Sequence, residues 1–332
     1  MESRSASRMI VPAYWAEARL QSRAGRRRVT VRRFGWSDES QAAAQAHAQA
    51  RAQEALDRIV AGETLPRRER RSNYGVHGVP IREQIVARHA DGAIVTRNSY
   101  GARCLNSPGV LFADVDFASR PLGPAIAIAA LAATAGLAVG IWLRHWIWPI
   151  VPAFVALIMA TWLTERVRRH RAHEDRAQAR ALRRAEAFSA AHPDWHLRVY
   201  RSPGGLRVMA LHRTFDPLDA EVAACFHALG TDSLYVKLCK AQGCFRARLT
   251  AKPWRAGVRR RIRPPVAAWS PEQADLPDRL AWIERYERAA SRFAACRFLH
   301  ALGDTARVDP VADRIRALHD EETGALTARP LA

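Results

Sequence analysis

Two aspartates, Asp114 and Asp116, are the side chains of this sequence whose type and spacing are best suited to chemistry. They lie in the otherwise apolar stretch VLFADVDF, residues 110–117. In a β-strand, residues i and i+2 point to the same face, so the two carboxylates are predicted to lie side by side. Such a pair repels unless a cation lies close to it, and its oxygens suit Mg²⁺ or Mn²⁺. We therefore predict Asp114 and Asp116 as ligands of a divalent metal.

Arginine is the alternative partner for this pair, because the chain is rich in it. Lysine and arginine number 52 against 32 acidic residues, and the net charge is +20. An arginine on a neighbouring strand would neutralise either carboxylate without a metal. The sequence leaves metal binding and structural ion pairing both open, and the candidate partners are Arg97, Arg103, Arg198 and Arg207.

The order of elements around the aspartates predicts an α+β fold. After the strand at 110–117 and a long apolar and helical region come a strand–turn–strand at 196–215, a helix at 218–229 and a basic strand at 244–251. The order βαββαβ is that of split-βαβ, RRM-like folds. We therefore predict an RRM-like core in which the aspartates share a sheet with the hairpin at 196–215.

The strand and the hairpin together resemble the catalytic core of archaeo-eukaryotic-type primase–polymerases. The matching segments are the D-x-D of Asp114 and Asp116 and the turn SPGGLR, residues 202–207. The resemblance implies that the carboxylates hold metal ions and that a hairpin side chain contacts a nucleotide phosphate. Arg207 stands where that family has a histidine, and arginine can bind phosphate in a bidentate manner. The candidate phosphate-binding residues are Arg207, His212 and Arg213.

Two long uncharged runs interrupt the predicted domain, at 121–143 and 146–163. A helix of about 20 apolar residues crosses the ~30 Å hydrocarbon core of a bilayer, so the runs predict a two-helix transmembrane hairpin. Arginines crowd the segment after the second run, and the positive-inside rule then predicts an inner (plasma) membrane protein with both termini in the cytoplasm. The chain also resembles an uncharacterised bacterial family of two-span membrane proteins, in segments such as RFGWSDES and TRNSYGARCLN.

The remaining segments complete the predicted organisation. The five cysteines are odd in number and fit no disulfide framework, which favours a reducing compartment. The divisions are a basic N-terminal β-α unit at 1–71, the first part of a cytoplasmic α/β domain at 72–119, transmembrane helices at 121–143 and 146–163, a charged juxtamembrane helix at 164–191, the second part of the α/β domain at 192–265 and C-terminal helices at 266–332.

The strong positive charge favours anionic partners such as lipid head groups, nucleotides and nucleic acid. The densest basic stretch runs over residues 246–263 and includes Trp254. The sequence leaves three functions open: a membrane-anchored binding module for a phosphorylated or nucleic-acid ligand, a metal-dependent nucleotidyl- or phosphoryl-transfer enzyme, and a membrane scaffold with a basic surface facing lipid. The GxxxG match GLAVG at 136–140 favours close helix packing, either within the hairpin or between two copies of the chain in a homo-oligomer.

Overall fold

A computed structural model describes residues 11–24, 27–69, 79–117, 134, 150–264 and 269–332. These residues form an α+β structure with three antiparallel sheets. The strands are β1 (Tyr14–Ala24), β2 (Arg27–Ser37), β3 (Gln84–Arg88), β4 (Ile94–Arg97), β5 (Arg103–Ser107), β6 (Phe112–Asp116), β7 (His196–Ser202), β8 (Gly205–Ala210), β9 (Phe245–Arg248) and β10 (Arg297–Gly303). The α-helices are α1 (Gln41–Val60), α2 (Ile150–Ala191), α3 (Ala220–Leu229), α4 (Ser233–Gln242), α5 (Pro277–Ala290) and α6 (Pro310–Thr323).

The first sheet is a long hairpin of β1 and β2 on which α1 packs. Alanines recur along one side of α1, so the helix can approach the hairpin closely. At the closest point, a Cβ on Gly35 would lie 2.1 Å from the backbone nitrogen of Ala48. The N-terminal β-α unit is therefore a small layer whose contact surface consists of small residues.

The central sheet has the order β10-β7-β8-β6 and carries Asp114 and Asp116 on its edge strand. The pairing of β6 with β8 and of β8 with β7 follows the order that the RRM-like prediction requires. The register places Asp114 opposite Arg207 and Asp116 opposite Gly205. The hairpin at residues 196–210 thus brings its arginine and its glycine turn against the two aspartates.

The fourth strand of the predicted RRM-like core does not join this sheet. The basic strand β9 pairs with β5 in the second sheet, whose order is β3-β4-β5-β9. Arg246 of β9 donates a hydrogen bond of 2.6 Å to buried Glu83, which directly precedes β3, and one of 3.1 Å to Asn106 of β5, and both contacts favour this position of β9. In the predicted fold β9 would lie beside β6, whereas β6 is an edge strand of the observed sheet. At the opposite edge the sheet is extended by β10, which pairs with β7 and lies in a segment predicted to be helical. The RRM-like core is therefore wrong in its fourth strand.

The predicted transmembrane hairpin is also wrong. The first predicted span, 121–143, and the GLAVG motif lie outside the described residues apart from Thr134, and most of the second forms the start of the 42-residue helix α2. Charged residues enter α2 from Glu165 onward, so its uncharged part falls short of the roughly 20 apolar residues that a bilayer requires. Among the described residues, no helix combines the length and apolar composition needed to cross a membrane. This finding overturns the predicted inner-membrane location with two spans and cytoplasmic termini.

The C-terminal half of α2, predicted as a juxtamembrane helix, belongs to the core of the protein. Three alanines at helical spacing, together with Phe188, are buried against the central sheet, where Trp195 is also enclosed. The same core contains Leu105 of the second sheet and Phe245 of β9. The central and second sheets are therefore joined by one continuous apolar core, and the buried alanines are Ala177, Ala181 and Ala185.

A substitution at the turn of the β7–β8 hairpin tests the packing of β6 against β8. A Cβ on Gly205 would lie 2.0 Å from the carbonyl oxygen of Val115, so Gly205→Ala forces the two strands apart. We expect the free energy of unfolding in urea to fall by about 1–3 kcal/mol. The matched control is Gly204→Ala, whose Cβ would meet only an Arg255 nitrogen at 3.8 Å. Equal stability of the two variants would contradict the close packing.

Candidate functional site

A cavity of about 620 Å³ lies where the central sheet, the second sheet and α4 meet. Asp114 and Asp116 of β6 both line it, as the prediction of a shared face requires. The other walls come from the β7–β8 turn, from α4, and from β9 with the segment that follows it. Its polar lining residues include Asn98, Tyr100, Ser202, Arg207, Asp232, Arg246, Arg248, Thr250, Lys252 and Arg255.

The floor of the cavity is a bidentate ion pair between Asp114 and Arg207. Arg207 donates from Nε to Asp114 Oδ1 at 2.7 Å and from Nη2 to Oδ2 at 3.1 Å. It also donates from Nη1 to the carbonyl oxygen of Arg248 at 3.0 Å. Burial disfavours the charge on Arg207, but the Asp114 carboxylate outweighs that effect, so the pKa of Arg207 lies above its ordinary value. The predicted phosphate ligand Arg207 therefore already has an anionic partner, whereas Asp114 retains some exposure to the cavity.

The side chain of Asp116, in contrast, makes no hydrogen bond or ion pair with any described residue, and it is exposed. The cavity walls nevertheless remove part of its water, and this desolvation raises the pKa of Asp116 above its ordinary value. Repulsion from Asp114 and Asp232 raises the pKa further, while Lys252 and Arg248 lower it. No hydrogen bond or ion pair offsets the lost hydration and the negative charge of this carboxylate, and only the backbone of β6 fixes its position.

Three cations face Asp116 across the cavity: Arg248, Lys252 and Arg255. Within the described residues, none of the three side chains makes a hydrogen bond or an ion pair, and the Nε of Arg248 is buried without a partner. Burial lowers the pKa of Lys252 and of Arg255, and repulsion from Arg248 adds to the effect on both. The cavity therefore holds three cations without ion-pair partners, and the carboxylates of Asp116 and Asp232 lie in the same lining.

Tyr100 and the N-terminal end of α4 complete the cavity lining, and Trp254 lies beside Tyr100 without lining the cavity. Tyr100 lines the cavity and meets Trp254 edge to face at 5.5 Å between ring centroids. The two rings are 42% and 52% exposed, respectively, and Lys252 Nζ lies 5.4 Å from the Trp254 ring centroid. Asp232 begins α4: its side chain accepts from the backbone N–H of Tyr235 at 2.8 Å, and its own N–H donates to the Asp114 carbonyl at 3.0 Å.

The structure separates the other predicted phosphate ligands from this cavity. His212 is buried in an aromatic cluster, 4.5 Å from the Trp195 ring centroid and 5.3 Å from that of Phe215. Arg213 pairs with Glu221 at the start of α3. Neither residue lines the cavity. Of the predicted site, the structure thus brings together Asp114, Asp116 and Arg207.

Sequence reasoning missed the carboxylate of Asp232 and the convergence of Lys252 and Arg255 on Asp116. The sequence shows the basic stretch, but it does not show that Lys252 and Arg255 of this stretch lie opposite Asp116 of β6. Metal binding by Asp114 and Asp116 stays a prediction. Among the described residues, no three or more histidine, cysteine or acidic side chains form a group that could hold a metal ion.

No protein-family model, curated protein or solved structure matches this chain. The resemblances that the sequence suggests therefore stay predictions.

The two aspartates should affect stability in opposite ways. Asp114→Asn leaves the buried guanidinium of Arg207 without its counter-charge, and breaking a buried pair costs about 3 kcal/mol. Asp116→Asn keeps the shape of the side chain and removes a carboxylate that is unpaired and desolvated. We expect urea unfolding at neutral pH to show a marked loss for the first variant and unchanged or increased stability for the second. The reverse order would contradict the pairing described above.

His212 should give the protein a specific sensitivity to acid. Burial, helped by Arg213, lowers the pKa of His212 to about 4, whereas the unfolded chain titrates near 6.5. The unfolded state therefore takes up the proton first, and stability falls as the pH drops from about 6.5 to about 4. The loss from this residue is no more than about 3 kcal/mol. His212→Phe keeps an aromatic ring, and the difference in unfolding free energy between variant and wild type should change with pH across this range. A constant difference would show that His212 does not titrate in this way.

Proposed function

We propose that the cavity binds a phosphorylated ligand of nucleotide type, directly through Arg248, Lys252 and Arg255. The observation that carries the proposal is the convergence of these three cations, none with a hydrogen-bond or ion-pair partner for its side chain among the described residues, on one face of the cavity. Partly desolvated cations without an ion-pair partner gain more from an incoming anion than hydrated ones do. A phosphate group supplies that charge and enough oxygen acceptors for all three.

The size and the rim of the cavity support a nucleotide rather than a bare phosphate. Small-molecule sites typically enclose about 300–1,000 Å³, and this one has about 620 Å³. The exposed rings of Tyr100 and Trp254 stand beside the cations and can stack on a base. Asp116 opposes the cations and can accept hydrogen bonds from a sugar hydroxyl or a base amine.

The alternative of metal-dependent nucleotidyl or phosphoryl transfer has weaker support. Its chemistry requires both carboxylates to be available to a Mg²⁺ or Mn²⁺ ion. Both oxygens of Asp114 accept hydrogen bonds from Arg207. A metal would therefore rely on Asp116 and on whatever lone pairs of Asp114 face the cavity. Direct phosphate binding needs no such rearrangement.

Calorimetry with a nucleoside diphosphate on the full chain tests direct binding. A hydrogen bond to a charged group contributes about 1.5–3 kcal/mol, so Lys252→Ala and Arg255→Ala should each weaken binding by about tenfold or more. The matched control is Lys237→Ala, which removes an exposed lysine of α4 that does not line the cavity. Equal affinity of wild type, Lys252→Ala and Arg255→Ala would refute the proposal.

Asp116→Asn separates the proposal from the metal-dependent alternative. If the cations bind phosphate directly, Asp116→Asn keeps an oxygen acceptor for the sugar or base but removes the negative charge that repels the phosphate, so nucleotide binding measured with a chelator present becomes stronger. If Asp116 holds a metal, wild type binds tightly only with Mn²⁺ and Asp116→Asn loses that enhancement. The same titration with and without Mn²⁺ therefore decides between the two mechanisms.

A further inference from the structure

Residues 252–264, here called the basic strap, leave the cavity as an irregular segment that exposes many charges. The exposed arginines of the strap make no side-chain hydrogen bond or ion pair with any described residue. This differs from most arginines elsewhere in the central and second sheets, which have acidic or carbonyl partners. The exposed side chains of the strap are Trp254, Arg255, Arg259, Arg260, Arg261 and Arg263.

The backbone of the strap is anchored although its side chains are exposed. Ala256, Val258 and Ile262 are buried in an apolar cluster with Trp282 of α5. The backbone N–H of Val258 donates to Pro253 at 2.8 Å, and the indole N–H of Trp282 donates to the carbonyl of Arg260 at 2.7 Å. The unpaired arginines are thus presented on a prearranged backbone, which reduces the entropy lost when a ligand binds.

The strap connects the cavity with a second, small recess. Lys252 and Arg255 line the cavity, whereas Ile262 and Pro264 line the recess, and Asn98 lines both. The recess contains Arg279, which is only 5% exposed and whose Nε has no partner. Burial, with repulsion from Arg97, lowers the pKa of Arg279 to about 10. Arg279 donates to Gln84 at 2.7 Å but has no carboxylate partner among the described residues, so it too lacks a counter-charge.

We infer that the basic strap binds single-stranded nucleic acid, with one nucleotide of the strand entering the cavity. The inference rests on the proposed function, because it extends the ligand from one nucleotide to a strand. Regularly spaced phosphates match a row of unpaired arginines that runs from one cationic site to another. Trp254, which is 52% exposed beside Tyr100, offers a ring to unpaired bases, and base–aromatic stacking is typical of single-strand sites. In a duplex the bases are already stacked on each other and cannot use it.

Fluorescence anisotropy of a labelled oligothymidylate on the full chain, at several salt concentrations, tests the inference. We expect Arg259→Ala/Arg260→Ala/Arg261→Ala to weaken binding and to make the plot of log affinity against log salt less steep by about 2, since each phosphate contact contributes about 0.7 on single strands. Trp254→Ala should weaken binding by about tenfold with no change of slope. The charge-matched control is Arg176→Ala/Arg180→Ala/Arg183→Ala on the exposed side of α2.

Each other outcome overturns the inference in a distinguishable way. If the strap variant binds the oligonucleotide as wild type does while Lys252→Ala weakens it, the cavity alone binds and the proposed function survives without the strap. If the α2 control loses as much affinity as the strap variant, only net charge matters. Equal binding of a duplex with no effect of Trp254→Ala points to duplex contact, and binding of anionic vesicles without the oligonucleotide points to lipid. Nucleoside diphosphate binding by the strap variant should equal that of wild type, which tests the cavity separately.

Discussion

The buried ion pair between Asp114 and Arg207 is the interaction on which the site and the joining of the two larger sheets depend. Arg207 lies on β8, its partner on β6, and its third hydrogen bond reaches the backbone of β9 in the second sheet. One guanidinium thus links both sheets at the floor of the cavity. Removing a buried charge from its partner is far more costly than breaking a surface pair, so this contact holds the cavity walls in a definite relation.

The same guanidinium continues into a buried polar network on α6. Its Nη1 lies 3.3 Å from Nε2 of His319, whose Nδ1 lies 3.0 Å from Asp320. Asp320 in turn accepts a hydrogen bond of 2.8 Å from Arg198 of β7. Buried polar groups of this kind stabilise a fold only when their partners are present, so the network requires α6, β7 and β8 to pack in one arrangement. The position of Asp114 is therefore set by its own strand and also by Arg207, which the network on α6 holds in place.

The distribution of charge follows from this use of acids inside the protein. The chain has far more basic than acidic residues. Glu83, Glu287, Asp114 and Asp320 each pair with a buried or partly buried arginine of the central or second sheet. Arg248, Lys252, Arg255 and the exposed arginines of the basic strap make no ion pair with a carboxylate among the described residues. An anionic ligand can supply the negative charge that these cations lack. The cavity and the basic strap are therefore the parts of the described structure best suited to bind one.

The sequence by itself determined the local features: the alternation that places Asp114 and Asp116 on one face, the glycine turn of the hairpin, and the α+β class. It also indicated arginine as an alternative partner, because arginine is so frequent. The long uncharged runs led to the wrong prediction of a transmembrane hairpin. Hydropathy along the sequence does not show that the helix α2 continues into a half that packs against the central sheet. Only the tertiary structure decided which arginine pairs with Asp114, that β9 leaves the central sheet for Glu83 and Asn106, and that Lys252 and Arg255 face Asp116. Those outcomes depend on contacts between residues far apart in the chain, and the free energy of burying or pairing a charge is set by the surroundings that only the folded chain creates.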